Sequence, residues 1–205
     1  MTSELFKKQG YLHVPNFIDE TTLSLLRHYL FLRIKAGHSN FSVAEKQDFQ
    51  CPFSHSFYAD PLAETILDKS ATAISSYIGE DVVPTYSFTR MYGRGDELVR
   101  HRDREACEIS ASLAIARPKG SDISPLYFSK NQDGSDASSV FLENSDIVIY
   151  NGYDVWHWRD KFEDHKWYLQ MFLHYVRKDG PYKGHIYDKR PMLGKGRPGV
   201  PKMKQ

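Results

Sequence analysis

From Val82 onward the chain is a succession of short runs rich in β-branched and aromatic residues, with turn residues between them. The runs are "VVPTYSFTRMY", "ELVRHRD", "CEISASLAIA", "SPLYFSK", "SSVFLE", "DIVIYN" and "KWYLQMFLHYVRK". No helical period separates one run from the next. Strands at this spacing, without intervening helices, specify an antiparallel sandwich or barrel rather than a parallel sheet. A chain that makes this body has to spend its helices elsewhere.

The first 80 residues supply them. Residues 4 to 9 read as a short helix closed by Gly10, and "YLHVPNF" as a strand entering a turn. Asp19 is placed to cap "ETTLSLLRHYLFLRIKA", whose Leu23, Leu26, Leu30 and Ile34 form one helical stripe ending at Gly37. Asp60, Pro61 and Gly79 punctuate a second long helix, for which Leu62, Ile66 and Ile74 are the expected buried row. Residues 37 to 60 show no period and read as a long loop, a candidate lid. The expected organisation is α+β: one domain over 1-176, with helical support over 1-80 and a β body over 81-176, followed by a basic extension over 177-205.

Composition narrows the class. The 205 residues are 40 % hydrophobic and 14 % aromatic, enough for a sizeable core. No stretch approaches the roughly 18 apolar residues of a membrane span, and "MTSELFKKQG" has no export-signal pattern. Two cysteines, Cys51 and Cys107, are too few for a disulfide framework or a thiolate cage, so a cytoplasmic protein is expected. From Arg177 the chain holds nine Lys/Arg against two Asp/Glu; the preceding residues hold 18 against 24. With only Tyr182 and Tyr187 as stacking groups, the basic tail reads as a solvated or wrapped extension, and no nucleic-acid partner is expected.

The chemistry-bearing candidates begin at "RHRDREACEISAS". His101 and Asp103 lie two apart where a strand runs out into a loop, so their side chains share a face. His157, between two tryptophans in "DVWHWRD", follows the strand "DIVIYNG" and could join them. Two imidazoles and one carboxylate on one face of an octahedron leave three positions open, the arrangement of non-haem Fe(II) oxygenases. The same residues also fit a surface His–Asp pair and a packed core histidine, and the residues by themselves leave both readings open.

Three blocks in this order resemble the iron- and 2-oxoglutarate-dependent dioxygenases, above all the prolyl-4-hydroxylase-like branch. They are "YGRGDELVRHRD", "LENSDIVIYNGYDVWH", with Ser145 where glycine is usual, and "HKWYLQMFLHYV". The opening "FKKQGYLHVPNFIDETTLSLL" is similar to phytanoyl-CoA dioxygenase relatives. The resemblance implies a double-stranded β-helix (jelly-roll, cupin-like) core. It implies Fe(II) held by His101, Asp103 and His157, with 2-oxoglutarate and O2 as co-substrates and ascorbate as an accessory reductant. Lys166, nine residues past His157, is the expected partner of the far carboxylate of 2-oxoglutarate, with Arg159 as rival. Tyr92 and Ser112 (or Ser110) are expected to complete that pocket, and Cys107 to be a packed core residue. Arg90, Tyr127, Trp156, Trp158 and the 38–58 loop are candidates for the wall facing a second substrate. That substrate would be a peptidyl proline, a free amino acid or a small metabolite, hydroxylated with release of succinate and CO2. Two other classes use the same residues: a non-catalytic β-sandwich binding protein, and a zinc or cupin-like hydrolase, which has no need of Lys166 and Tyr92.

Overall fold

The computed structural model describes residues 2–41, 51, 54–121, 124–163 and 167–195. Each helix starts and stops where local chemistry says it should. Helix α1 (Thr2–Gln9) ends at Gly10, whose φ of 82° is left-handed and whose N–H donates to the Phe6 carbonyl at 2.7 Å. The Asp19 carboxylate caps α2 (Glu20–Lys35) by accepting from the Thr22 N–H at 2.9 Å. Asp60 caps α3 (Pro61–Ile78) through Leu62 N and Ala63 N, and Gly79 closes it with φ 75°. In α3 the buried row is Ala63, Leu67, Ile74 and Ile78, whereas Leu62 and Ile66 are only half-buried. The helix is turned by about one position from the expected row. Glu64 lies on the inward side with this row and meets Arg190, 126 residues away in sequence.

The strands are β1 (Tyr11–Val14), β2 (Asn40–Phe41), β3 (His55–Tyr58), β4 (Val82–Tyr92), β5 (Leu98–His101), β6 (Ile109–Ala116), β7 (Leu126–Ser129), β8 (Ser138–Val140), β9 (Ile147–Tyr150), β10 (Trp156–Arg159) and β11 (Tyr168–Arg177). They form two antiparallel sheets. One has the order β1-β9-β6-β11-β4-β3-β2 and the other β5-β10-β7-β8. The stretch expected as a loop over 37–60 therefore carries β2 and β3 at its ends, and β3 extends the larger sheet by pairing with β4 from His55↔Met91 to Tyr58↔Phe88. Residues 42–50, 52 and 53 of that stretch lie outside the described residues.

Strand β11 shows how the two layers are built. Nine of its ten residues are buried, so both of its faces are covered. Leu169, Met171, Leu173 and Tyr175 face the helices and meet Leu26, Leu67 and Ile78 in one apolar cluster. Each such side chain contributes roughly 1.5–3 kcal/mol on burial. The alternate residues, Tyr168, Gln170, Phe172 and His174, share the other face, which turns toward the smaller sheet. Two of these four are polar and buried, which an inert core would not choose.

The chain after β11 is anchored through residue 195. Arg177 binds Glu80 Oε2 at 2.5 Å and Glu108 Oε1 at 2.7 Å, and Asp188 takes Arg104 at 2.9 Å and the Tyr58 hydroxyl at 2.5 Å. Arg190 enters the protein and pairs with Glu64, both side chains being almost fully buried. As far as Lys195 the basic extension is pinned to the body through the buried Asp188 and Arg190, while most of its other side chains are exposed. Ser145, standing where the resemblance puts glycine, has φ 76°, and its backbone N–H and C=O hold Ala114 and Phe17 at 2.9 Å each. Both cysteines are buried, and no disulfide is formed among the described residues. No helix among the described residues is long and apolar enough to cross a membrane.

Candidate metal centre

The smaller sheet brings the two histidines together. In the β5–β10 pairing His101 lies opposite His157, with ring centroids 4.3 Å apart. Asp103, two residues beyond His101, is tied back by its N–H to the Gly152 carbonyl at 2.8 Å. Gly152 has to be glycine here, since a Cβ would stand 2.4 Å from Asp103 Oδ2 and 2.5 Å from the Cys107 carbonyl. His101 Nδ1 donates to the Val99 carbonyl at 2.7 Å and His157 Nδ1 to the Val155 carbonyl at 3.0 Å. A carbonyl can only accept, so both rings carry a proton on Nδ1 and turn Nε2 toward Asp103, the atom that would offer its lone pair to a metal. Those two Nε2 atoms lie 3.5 and 3.6 Å from Asp103 Oδ1, and the three donor atoms are all within 4.8 Å of one another. Burial opposes charge on Asp103, but the surrounding histidines outweigh it and hold its carboxyl well below the usual range. Burial likewise lowers His101, but the hydrogen bond and charge of Asp103 raise it overall.

The other carboxylate oxygen has its own support. Ser110 Oγ donates to Asp103 Oδ2 at 2.7 Å and in turn accepts from His174 Nδ1 at 2.9 Å. Burial drives the His174 imidazole down to about 4, so it is neutral near pH 7. Tyr86 packs on His174 with centroids 4.5 Å apart, and its hydroxyl meets Cys107 Sγ at 3.1 Å. Asp103, Cys107 and His174 form a second close group. Burial raises the Cys107 thiol well above its ordinary value, so it stays protonated and packs as a small core residue.

Behind the triad a cavity of about 220 Å³ runs between the sheets, lined by Phe88, Arg90, Leu98, Tyr150 and Phe172 besides the groups already named. Arg159, on the same face of β10 as His157, is 1 % exposed. It donates from Nη2 to Gln170 Oε1 at 2.9 Å and from Nη1 to the Ser124 carbonyl. Its guanidinium lies over Tyr168 at 4.8 Å and Tyr92 at 5.7 Å. No carboxylate pairs with it among the described residues, its Nε has no partner, and burial lowers its pKa. Arg90 stacks on Phe88 at 5.0 Å and Tyr92 at 5.6 Å. The buried Tyr92 phenol is pushed up to about 12 despite the two arginines, and so is neutral. Ser112 Oγ and Gln170 Nε2 are buried without a hydrogen-bond partner.

The structure thus brings His101, Asp103 and His157 together and puts Arg90 on the cavity lining, while Tyr92, Arg159 and Ser112 are buried outside that lining. Lys166 lies outside the described residues. Two expected wall residues lie elsewhere: Trp158 and Tyr127 stack on each other at 5.2 Å, with Arg100 over Trp158, away from the cavity lining. Strand alternation is the reason, since the neighbours of an inward His157 point outward. Ser110, Gln170, Tyr150 and His174 were not singled out as a network. The signal for two of them was there: polar residues at the buried alternate positions of "WYLQMFLHYV".

Comparison with known proteins agrees with this architecture. No protein-family model and no curated protein sequence matches the chain. Among solved structures it is similar to a prolyl-4-hydroxylase from Pseudomonas putida, at 18 % identity over 84 % of this chain and 97 % of that one, TM-score 0.63. It is also similar to the epimerase SnoN in complex with Fe3+, alpha ketoglutarate and nogalamycin RO, at 11 % identity over 98 % and 92 % of the two chains, TM-score 0.71. HygX from Streptomyces hygroscopicus with nickel and 2-oxoglutarate bound matches at 12 % identity over 86 % of each chain, TM-score 0.62. The fold is that of the 2-oxoglutarate-dependent oxygenases. In a double-stranded β-helix of this kind the space between the sheets is the place for ligands, and here that space begins at the triad.

Proposed function

We propose that the protein is an Fe(II)- and 2-oxoglutarate-dependent dioxygenase that hydroxylates a C–H bond of a second substrate. One observation carries the reading: two histidine Nε2 atoms and a carboxylate oxygen converge at one end of a cavity that also presents Arg90, and Arg159 is buried with no carboxylate partner among the described residues. A facial His/Asp/His set suits ferrous iron and leaves positions for reactants. When bound there, Fe(II) with 2-oxoglutarate and O2 supplies the oxidising chemistry, releasing succinate and CO2 as one oxygen atom enters the C–H bond.

The chain's own groups have definite tasks. His101, Asp103 and His157 hold the metal, and the Val99 and Val155 carbonyls fix their tautomers. Ser110, itself held by His174, binds the second oxygen of Asp103, which fixes the carboxylate plane. Arg159, supported by Gln170 and flanked by Tyr92, receives the far carboxylate, with Arg90 and Ser112 beside it. Lys166 is the alternative anchor. The aromatic lining, Phe88, Tyr150 and Phe172, keeps water scarce. A zinc hydrolase could use the triad but has no use for guanidinium groups placed to receive a dicarboxylate.

Anaerobic addition of Fe(II) and 2-oxoglutarate is expected to give a weak visible charge-transfer band that Zn(II) does not give and His157→Ala abolishes. Succinate release with an accepted substrate should follow on admitting air. No band in the wild-type protein, and no succinate with a panel of peptides, amino acids and small metabolites, would refute the assignment.

A further inference from the structure

A second cavity, of about 390 Å³, lies outside the triad and is lined by Arg100, His101, Arg102, Asp103, Tyr153 and Trp156. It shares only the two ligands His101 and Asp103 with the inner chamber, so the two spaces meet at the metal position. We infer that this outer cleft binds the second substrate through a carboxylate or phosphate on that substrate, gripped by Arg102; this rests on the oxygenase reading above.

The three arginines of "RHRDR" separate the roles. Arg100 donates to the Gln132 carbonyl at 3.0 Å and lies 4.1 Å over Trp158. Arg104 is committed to Asp188 at 2.9 Å. Arg102 lies over Trp156 at 5.0 Å and has no carboxylate or carbonyl partner among the described residues. Stacking on the indole restricts the guanidinium to one plane but uses none of its N–H groups. Those donors remain available in the fork geometry that suits carboxylate and phosphate. A solvent-facing arginine resting on a tryptophan is common, and as a packing device it contributes roughly 0.5–1 kcal/mol. What sets Arg102 apart is its address. It shares a cleft with His101 and Asp103, and besides the engaged Arg100 the cleft is walled by the rings of Trp156 and Tyr153, the latter against Tyr182 at 4.9 Å. A cation with free donors, flanked by ring faces, selects an anion attached to a planar or apolar body. A neutral peptide segment would leave the guanidinium unanswered.

The test uses benzoate and phenyl phosphate as anionic probes, with benzamide and benzylamine as neutral and cationic counterparts. Each is titrated into the anaerobic Fe(II)·2-oxoglutarate protein while tryptophan fluorescence and the charge-transfer band are read together. At least one anion should quench fluorescence saturably without bleaching the band, with binding weakened by salt. Preference for benzoate or for phenyl phosphate identifies the anion. Arg102→Gln should weaken that binding at least tenfold, and Arg102→Lys should recover part of it. Equal binding of benzamide, an unchanged Arg102→Gln variant, or a band bleached by displacement of 2-oxoglutarate would overturn the inference. If the band forms but no charge-selective binding is seen, the cleft assignment alone fails. If Arg102-dependent anion binding is seen without any band, the cleft stands as an anion site and the oxygenase reading fails.

Discussion

Two of the buried arginines, Arg190 and Arg159, are buried in opposite ways. Arg190 uses all of its donors: Glu64 takes both ends of the fork, and the carbonyls of Thr85, Tyr187 and Lys195 take the rest at 2.9, 2.8 and 2.6 Å. Arg159 has a side-chain amide, one carbonyl and the faces of aromatic rings, with Nε left over. Burying a charge costs several kcal/mol unless a counter-charge and hydrogen bonds offset it. The first arginine meets that condition and ties the end of the chain to α3. The second does not. A folded protein keeps such a group only where something else gains from it, and a dicarboxylate ligand is what the proposed function supplies.

The sharpest way to break this contrast is to remove each arginine in turn. Arg190→Ala strands Glu64 without its cation and should cost about 3–5 kcal/mol of stability, read by urea unfolding. Arg159→Gln should change stability by no more than about 1 kcal/mol, since no buried partner charge is stranded, but should weaken 2-oxoglutarate at least a hundredfold, or about 2.7 kcal/mol. Lys166→Ala, made in parallel, tells which cation is the anchor. If Arg159→Gln unfolds the protein as readily as Arg190→Ala while 2-oxoglutarate still binds, the two arginines are the same kind of object and the argument from Arg159 is lost.

His174 extends the comparison to acid. Its folded value of about 4 lies below the ordinary 6.5, because burial disfavours the imidazolium. Between those two pH values the unfolded chain takes up a proton that the folded chain refuses. The stability of the metal-free protein should therefore be fully present above pH 6.5 and fall as the pH drops toward 4, by up to about 3 kcal/mol from this group. His174→Asn, which can still donate toward Ser110, should flatten that part of the slope. Unfolding midpoints at pH 7 and 4.5 for the two proteins check it; parallel slopes would show that His174 titrates freely.

How much of this was legible beforehand follows the range of the interactions. Helix ends were, because Asp19, Asp60, Pro61, Gly10 and Gly79 act within a turn of themselves. The triad was legible in outline from the residues, His101 and Asp103 by strand periodicity and His157 by its place after the strand "DIVIYNG", with the family resemblance favouring the metal reading over a packed histidine. Strand β3 was hidden, since "HSFY" is short and half polar and is recognised only by its pairing with β4. The inward turn of Glu64 in α3 was hidden as well, since its partner Arg190 lies 126 residues away and no local pattern encodes the pair. Trp158 and Tyr127, candidates for the substrate wall, stack on each other away from the cavity because they pair across β10 and β7 on the face opposite His157. The alternation that puts His101 and Asp103 on one face puts the two neighbours of His157 on the other.

The smallest test compares two serines on one strand, Ser110 and Ser112, both fully buried. Ser110 is bonded to Asp103 and His174, while Ser112 has no partner, although it sits on the same inner face and pairs across to Phe172 and Val148. Removing a bonded hydroxyl strands its partners, so Ser110→Ala should cost about 1–2 kcal/mol and loosen the metal site. Removing an unbonded one strands nothing. Ser112→Ala should leave stability within about 0.5 kcal/mol or raise it, since an unmet buried hydroxyl is itself a cost. If Ser112 serves the co-substrate, the same variant should also lose several-fold in 2-oxoglutarate affinity, measured by titrating the charge-transfer band. A variant that is both more stable and unchanged in binding would make Ser112 an ordinary misfit of packing, and the pocket would then end at the arginines.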